Sequence, residues 1–251
     1  MTTISIVNLK GGVGKTITAI NMAYLLSAQG YRTLIIDNDK QGNTSKFFGT
    51  HSYDKPSLAD VLIQRDFPAE KAIAPTGYDN LDILPGNMNL LRADKEILMD
   101  CLHPQQIRLK KALEPVADRY DYIVIDNAPD LDMGVINALT MTNDVIIPIK
   151  VDQFALDGIE LLTDQIHEIQ TFNTSLRVAG CLVTMAQRSN VNSAGEEYLR
   201  TQTSLPVFET VIRKTVKVDE STFVGQPLQV YSTSCTAAKD YAALLEEYLR
   251  K

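Results

Sequence analysis

The stretch NLKGGVGKTIT, from Asn8 to Thr18, packs three glycines, two lysines and two threonines into one short run. It follows an apolar run, Ile4 to Val7, and precedes a helix-period run from Thr18 to Ala28 that Gly30 ends. A glycine-rich turn between a strand and a helix lets successive backbone N–H groups converge, and the helix N-terminus adds partial positive charge, so a di- or triphosphate is held. Gly11, Gly12, Val13 and Gly14 form that cradle, Lys15 reaches the β- and γ-phosphates, and the Thr16 hydroxyl ligates Mg²⁺. The pattern G-x-x-x-x-G-K-[ST] is only half obeyed, because Leu9 stands at the first glycine and a second lysine, Lys10, follows it.

Phosphate chemistry also needs carboxylates at the ends of neighbouring strands, to hold the metal and orient an attacking water. LIIDNDKQGN offers Asp37 and Asp39, and YIVIDNAPD offers Asp126. Each follows an apolar run at its C-terminal end, the edge of a parallel sheet where ligands bind. A lone Asp after a strand is ordinarily a helix cap. Acidic residues after two strands in a chain with a phosphate loop favour function.

The elements that must position these groups are legible as apolar runs alternating with helical patterns, an α/β arrangement. Strands are expected at Ile4 to Val7, Thr33 to Ile36, Leu81 to Leu84, Tyr122 to Ile125, Val145 to Ile149 and Val178 to Val183. Helices are expected at Thr18 to Ala28, Pro104 to Ala117, Met133 to Met141, Leu156 to Gln170, Ala194 to Thr201 and Ala237 to Leu249, with Gly49 to Tyr78 irregular. The 251 residues, 45% of them hydrophobic, suit a single domain, 1-251, with a mostly parallel twisted sheet flanked by helices on both faces.

Other classes are disfavoured. No run approaches the roughly 18 apolar residues of a membrane span, and no basic-then-apolar leader with a cleavage site begins the chain, so a cytoplasmic protein is expected. Cys101, Cys181 and Cys235 are unpaired in sequence and read as buried reduced thiols, and scattered His51, His103 and His167 suggest no transition-metal site. The closing helix AAKDYAALLEEYLRK mixes acidic with basic residues, which fits a core-packed helix better than a membrane-surface one.

KGGVGKT, IIDNDKQGN, YDYIVIDNAPD, VIIPI and VFETVIRKTVKVDES come in the order and approximate spacing of the ParA/MinD family of deviant Walker ATPases, and the chain resembles it over nearly its whole length. The closest resemblance is to small ParA-type partition ATPases, without the extra N-terminal DNA-binding region of larger members. The resemblance implies a P-loop NTPase fold with a deviant Walker A loop, ATP and Mg²⁺ as cofactors, and an ATP-dependent homodimer. It makes Lys10 the signature lysine that reaches across the dimer to the partner's phosphates, a cation in trans of the kind worth roughly 10³ to 10⁵ in rate elsewhere. Asp39 becomes the switch I aspartate that positions water, Asp126 the Walker B aspartate, and Thr16, Asp39 and Asp126 the metal set. Asp37 is then more structural, and Asn43 lies in switch I. Met185, in TMAQRSN, and Arg213 stand at the base-binding region. The chain departs from the family at Ile17, where a second threonine is usual, at Lys40, where proline is usual, and at Asp130 and Asp132 in switch II.

Members of this family bind DNA without sequence preference when ATP dimerises them, and a ParB-like activator triggers hydrolysis and release. The candidates for DNA contact are Arg188, Arg213, Lys214 and Lys217, although Asp219 and Glu220 follow at once and the formal charge is -7. The leading expectation is a DNA partition ATPase, nucleoid-associated when ATP-bound. The alternatives are a positioner of protein cargo or conjugation machinery and a MinD-like membrane ATPase. A metabolic or iron–sulfur relative is disfavoured by the lack of paired cysteines.

Overall fold

The structure is a computed structural model that describes residues 1–151 and 157–250. Its strands are β1 (Thr2–Ile6), β2 (Thr33–Asn38), β3 (Ala74–Pro75), β4 (Leu81–Leu84), β5 (Tyr122–Asn127), β6 (Asp144–Lys150) and β7 (Arg177–Thr184). They form one seven-stranded sheet in the order β3-β4-β2-β5-β1-β6-β7, and every pairing is parallel except the short antiparallel β3–β4 contact. All six expected strands are present, some longer by a residue or two at their polar ends. The two-residue β3 escaped because it is too short for any periodicity.

The helices are α1 (Lys15–Ala28), α2 (Asn43–Phe47), α3 (Leu58–Ile63), α4 (Leu90–Met99), α5 (Arg108–Leu113), α6 (Met133–Met141), α7 (Asp157–Gln170), α8 (Asn190–Gln202), α9 (Val216–Val224), α10 (Leu228–Tyr231) and α11 (Thr236–Leu249). Leu156, the expected first residue of α7, lies outside the described residues. The central strands are buried at almost every position although successive side chains point to opposite faces, so both sheet faces are covered. Ile35 of β2 and Val124 of β5 pack with Met22 and Leu26 of α1 and with Tyr241 and Leu245 of α11. Their neighbours Leu34, Ile36, Ile123 and Ile125 face the other way, onto Leu62 of α3, Ile97 of α4 and Leu113 of α5. Each such side chain contributes about 1.5–3 kcal/mol when fully removed from water. The apolar side of α11 is thus spent on the core, as expected. Among the described residues, no helix is long and apolar enough to cross a membrane.

Three expectations need correction. Gly49 to Tyr78 is not irregular throughout: α3 is held by a capping box in which Ser57 and Asp60 satisfy each other's first-turn donors. The helix expected from Pro104 begins only at Arg108, where the Asn137 side chain of α6 accepts from the N–H groups of Arg108 and Leu109 at 2.8 and 3.2 Å. It then tightens into a 3₁₀ segment over Glu114–Arg119 with Pro115 near its start. Of the three cysteines only Cys181 is buried, whereas Cys101 is exposed and the half-buried Cys235 caps α11 by accepting from the Ala238 N–H.

Candidate functional site

Strand order explains why the chemistry converges. β5 lies between β1 and β2, with Ile6 paired to Asp126 and Asp37 paired to Asp126 across the two ladders. The glycine-rich loop after β1, the Asp39 loop after β2 and the Pro129 loop after β5 therefore leave the same sheet edge side by side. A cavity of about 740 Å³ opens there, lined by Gly11, Gly12, Gly14, Lys15, Thr16, Ile17, Asp39 and Pro129 among others.

The loop's geometry is that of an anion cradle. Gly12 and Gly14 have φ of 72° and 89°, the left-handed region in which a side chain is strained. Gly14 caps α1 without any side-chain acceptor. The first N–H groups of a helix have no partner within it, so here they face the cavity with the positive end of the dipole. Val13 contributes backbone only: its side chain is buried, and its carbonyl accepts from the Thr184 hydroxyl at 2.8 Å.

Lys15 is 7% exposed, and its ammonium donates to the Lys10 carbonyl at 2.9 Å. Burial pulls its pKa down, opposed by the charges of Asp126 and Asp39. The Lys10 backbone N–H in turn donates to Asn8 Oδ1 at 2.9 Å, which fixes the turn carrying its side chain.

The carboxylates have distinct surroundings. Asp37 is fully buried and accepts from the Ser45 N–H and hydroxyl at 2.7 and 2.5 Å, so it anchors the start of α2. Asp126 is 1% exposed; its Oδ2 accepts from the Thr44 hydroxyl at 2.7 Å, while its Oδ1 is buried without a hydrogen-bond partner. Burial raises the pKa of both, and Asp37 raises that of Asp126 further. The Thr16 hydroxyl, with that of Thr44, favours the charged form of Asp126. Asp39 borders the cavity, its Oδ1 accepting from the Gln41 N–H at 2.9 Å.

This donor set fits Mg²⁺ of a particular kind. Among the described residues no group of three or more His, Cys, Asp or Glu side chains could hold a metal ion. One orphaned carboxylate oxygen beside a hydroxyl suits a cation that draws its remaining ligands from phosphates and water, as Mg²⁺ does.

Met185 and Arg213 are brought together by a short parallel bridge between Ala186 and Arg213. Both line a smaller hollow of about 120 Å³ beside Gly14 and Ile17. Met185 has φ of 52°, unusual for a bulky residue and a form of strain that gathers at binding sites. Ile17 packs against the α1 core and forms an apolar wall shared by the two cavities, where the expected hydroxyl would have been. Lys46, Phe47, Val218 and the end of α9 from Thr222 to Gly225 also border the main cavity, and sequence reasoning missed them. The signal available was Gly225, a left-handed cap that ends α9.

The departures at the rim resolve into partners. Asp132 caps α6 by accepting from the Val135 N–H at 3.0 Å, and Asp94 of α4 accepts from the Met133 N–H at 2.8 Å. Asp130 lies 3.5 Å from the Lys40 ammonium. Of the DNA candidates, Arg213 is held by Asp240 through Nε and Nη2, and Lys217 by Glu220 at 2.7 Å. Lys214 and Arg188 are exposed, on the two segments that the Ala186–Arg213 bridge joins.

Comparison with known proteins follows this geometry. Residues 1–178 match the AAA domain family. The sporulation initiation inhibitor protein Soj of Bacillus subtilis is 35% identical over 247 residues, covering 97% of this chain and 96% of that protein. The chromosome-partitioning ATPase Soj of Treponema pallidum is 34% identical, covering 99% and 97%. The solved cobyrinic acid a,c-diamide synthase of Mycobacterium smegmatis, with bound ATP analog and magnesium, superposes with a TM-score of 0.86 at 27% identity, covering 100% of this chain and 95% of that one.

Proposed function

The chain belongs to the ParA/MinD family of P-loop ATPases, and from that premise we propose that residues 1–251 act as one unit, a cytoplasmic ATPase that partitions DNA. ATP and Mg²⁺ are its cofactors, and hydrolysis to ADP and phosphate is its reaction. The observation that carries this reading is the uncapped start of α1 opening at one cavity with Thr16 and the buried Lys15, next to the buried Asp126 whose Oδ1 is orphaned.

In this reading the N–H groups from Gly11 to Thr16 and the Lys15 ammonium bind the phosphates. Thr16 and Asp126, with Asp39 at the outer edge, hold Mg²⁺, which when bound neutralises charge on the β- and γ-phosphate oxygens. Asp39 orients the attacking water. Lys10 serves the partner subunit's phosphates in an ATP-dependent homodimer, so turnover depends on assembly. Met185, Ile17 and Arg213 contact the base. The dimer binds DNA non-specifically through Arg188, Arg213, Lys214 and Lys217 on both subunits, associates with the nucleoid, and is released when a ParB-like activator stimulates hydrolysis.

The direct test combines ATP hydrolysis with DNA retention in ATP, ADP and no nucleotide. Hydrolysis with ATP-dependent retention at low salt is expected. Hydrolysis without retention supports the second reading, positioning of a protein cargo, which the formal charge of -7 and the internal pairing of Arg213 and Lys217 favour. ATP-dependent sedimentation with liposomes would instead support a membrane-associated ATPase.

A further inference from the structure

Lys40 and Asp130 stand on two loops that flank the phosphate cavity, and they face each other. The loops are joined at their base by the Asn38 side-chain amide donating to Asn127 Oδ1 at 2.8 Å and by the Ala128 N–H donating to the Asn38 carbonyl at 3.2 Å. Beyond that rung, the Lys40 ammonium meets Asp130 Oδ2 at 3.5 Å. Each partner is one residue from a cavity-lining position, Asp39 on one side and Pro129 on the other.

The charge arrangement gives the pair its purpose. Asp94, Asp130 and Asp132 border one small hollow of about 60 Å³ with Lys40. Asp94 and Asp132 are spent on the first turn of α6. Asp130 Oδ1 accepts from the adjacent Leu131 N–H, and its Oδ2 faces Lys40. A carboxylate on the loop that borders a triphosphate site repels the triphosphate unless a cation neutralises it.

We propose that Lys40 and Asp130 form a latch between the two loops that holds the Asp130 charge against Lys40 and so preserves ATP affinity at an otherwise acidic rim. Lys40 is a positioning residue here, acting through Asp130 rather than on the nucleotide. The inference rests on the ATPase reading above.

The test is a double-mutant cycle on the full chain: parental, Lys40→Ala, Asp130→Asn, the double variant, and the charge swap Lys40→Asp with Asp130→Lys. ATP affinity is read by titration with a fluorescent ATP analogue in Mg²⁺, KM and kcat by phosphate release, and folding by thermal melts. Exposed ion pairs are worth up to about 1 kcal/mol, so Lys40→Ala is expected to weaken nucleotide affinity and raise KM about two- to fivefold, with kcat changed less. Asp130→Asn in that background restores affinity, the swap retains it, and the Lys40→Ala deficit shrinks as salt rises. Additive effects, or a Lys40→Ala protein with parental affinity, overturn the latch while leaving the ATPase reading intact. A folded parental protein that binds no ATP overturns both.

Discussion

Lys15 has the least freedom of the proposed phosphate-binding groups. It is buried, its ammonium is turned across the loop onto the Lys10 carbonyl, and burial lowers its pKa against the opposing charges of Asp126 and Asp39. Replacing it with alanine removes a buried cation from the cradle, so Lys15→Ala is expected to lose detectable ATP binding in equilibrium titration. Asp39 sits at the cavity's edge and makes only a local contact to Gln41, so its removal disturbs no framework. Asp39→Ala is expected to bind ATP within about threefold of parental affinity yet lose 10²-fold or more in kcat, the signature of a group that matters in the transition state. Hydrolysis by Asp39→Ala at the parental rate would remove its water-orienting role. Most of these residues were legible because glycine, lysine and aspartate at strand ends have few other uses. The cavity walls at Phe47 and Val218 were not, since nothing local marks an apolar side chain as facing a ligand rather than a core.

At the scale of elements, the carboxylates around α4, α5 and α6 do structural work. Asp132, one of the departures in switch II, is the cap of α6. Asp132→Ala should lower stability by about 1 kcal/mol in denaturant unfolding. A parental midpoint would mean that Asp94 alone suffices to cap that helix. Asp100 joins the end of α4 to the start of α5: it hydrogen-bonds His103 and accepts from Arg108 at 2.6 Å. The His103 bond, with the Leu102 N–H and nearby Arg108, holds its pKa at about 2, below the ordinary carboxylate value. A depressed pKa contributes stability above its unfolded value near ~4, lost as pH falls toward the folded value. Asp100→Asn should flatten the loss of stability between about pH 4 and pH 2, read as unfolding midpoints across that range. The strands were readable because buried parallel strands are continuous apolar runs. Helix α4 was missed although its signal is present: Leu90, Ala93 and Ile97 recur at helical spacing and are the buried face.

The whole molecule is the scale on which DNA binding must be decided, because a chain with a formal charge of -7 can hold a polyanion only through a local basic surface, which the proposed dimer would double. The four basic candidates share one region, yet they are not equivalent. Arg213 and Lys217 already face Asp240 and Glu220, so a phosphate must compete with those carboxylates. Lys214 is exposed, and its backbone N–H is pinned to the Ala186 carbonyl at 3.0 Å, so its alanine variant should leave the fold unchanged. Each neutralised phosphate adds about -0.9 to the slope of log K against log salt. Lys214→Ala should therefore make the ATP-dependent slope shallower by about 2 for a dimer, one contact per subunit, and weaken binding equally across DNA sequences. Arg213→Ala should do less to the slope, because Asp240 already pairs with the Arg213 guanidinium. Fluorescence anisotropy of a labelled duplex across a salt series separates the two. An unchanged slope in Lys214→Ala would place the DNA surface elsewhere. Salt-independent binding in the parental protein would argue that phosphate neutralisation is not how this chain holds DNA.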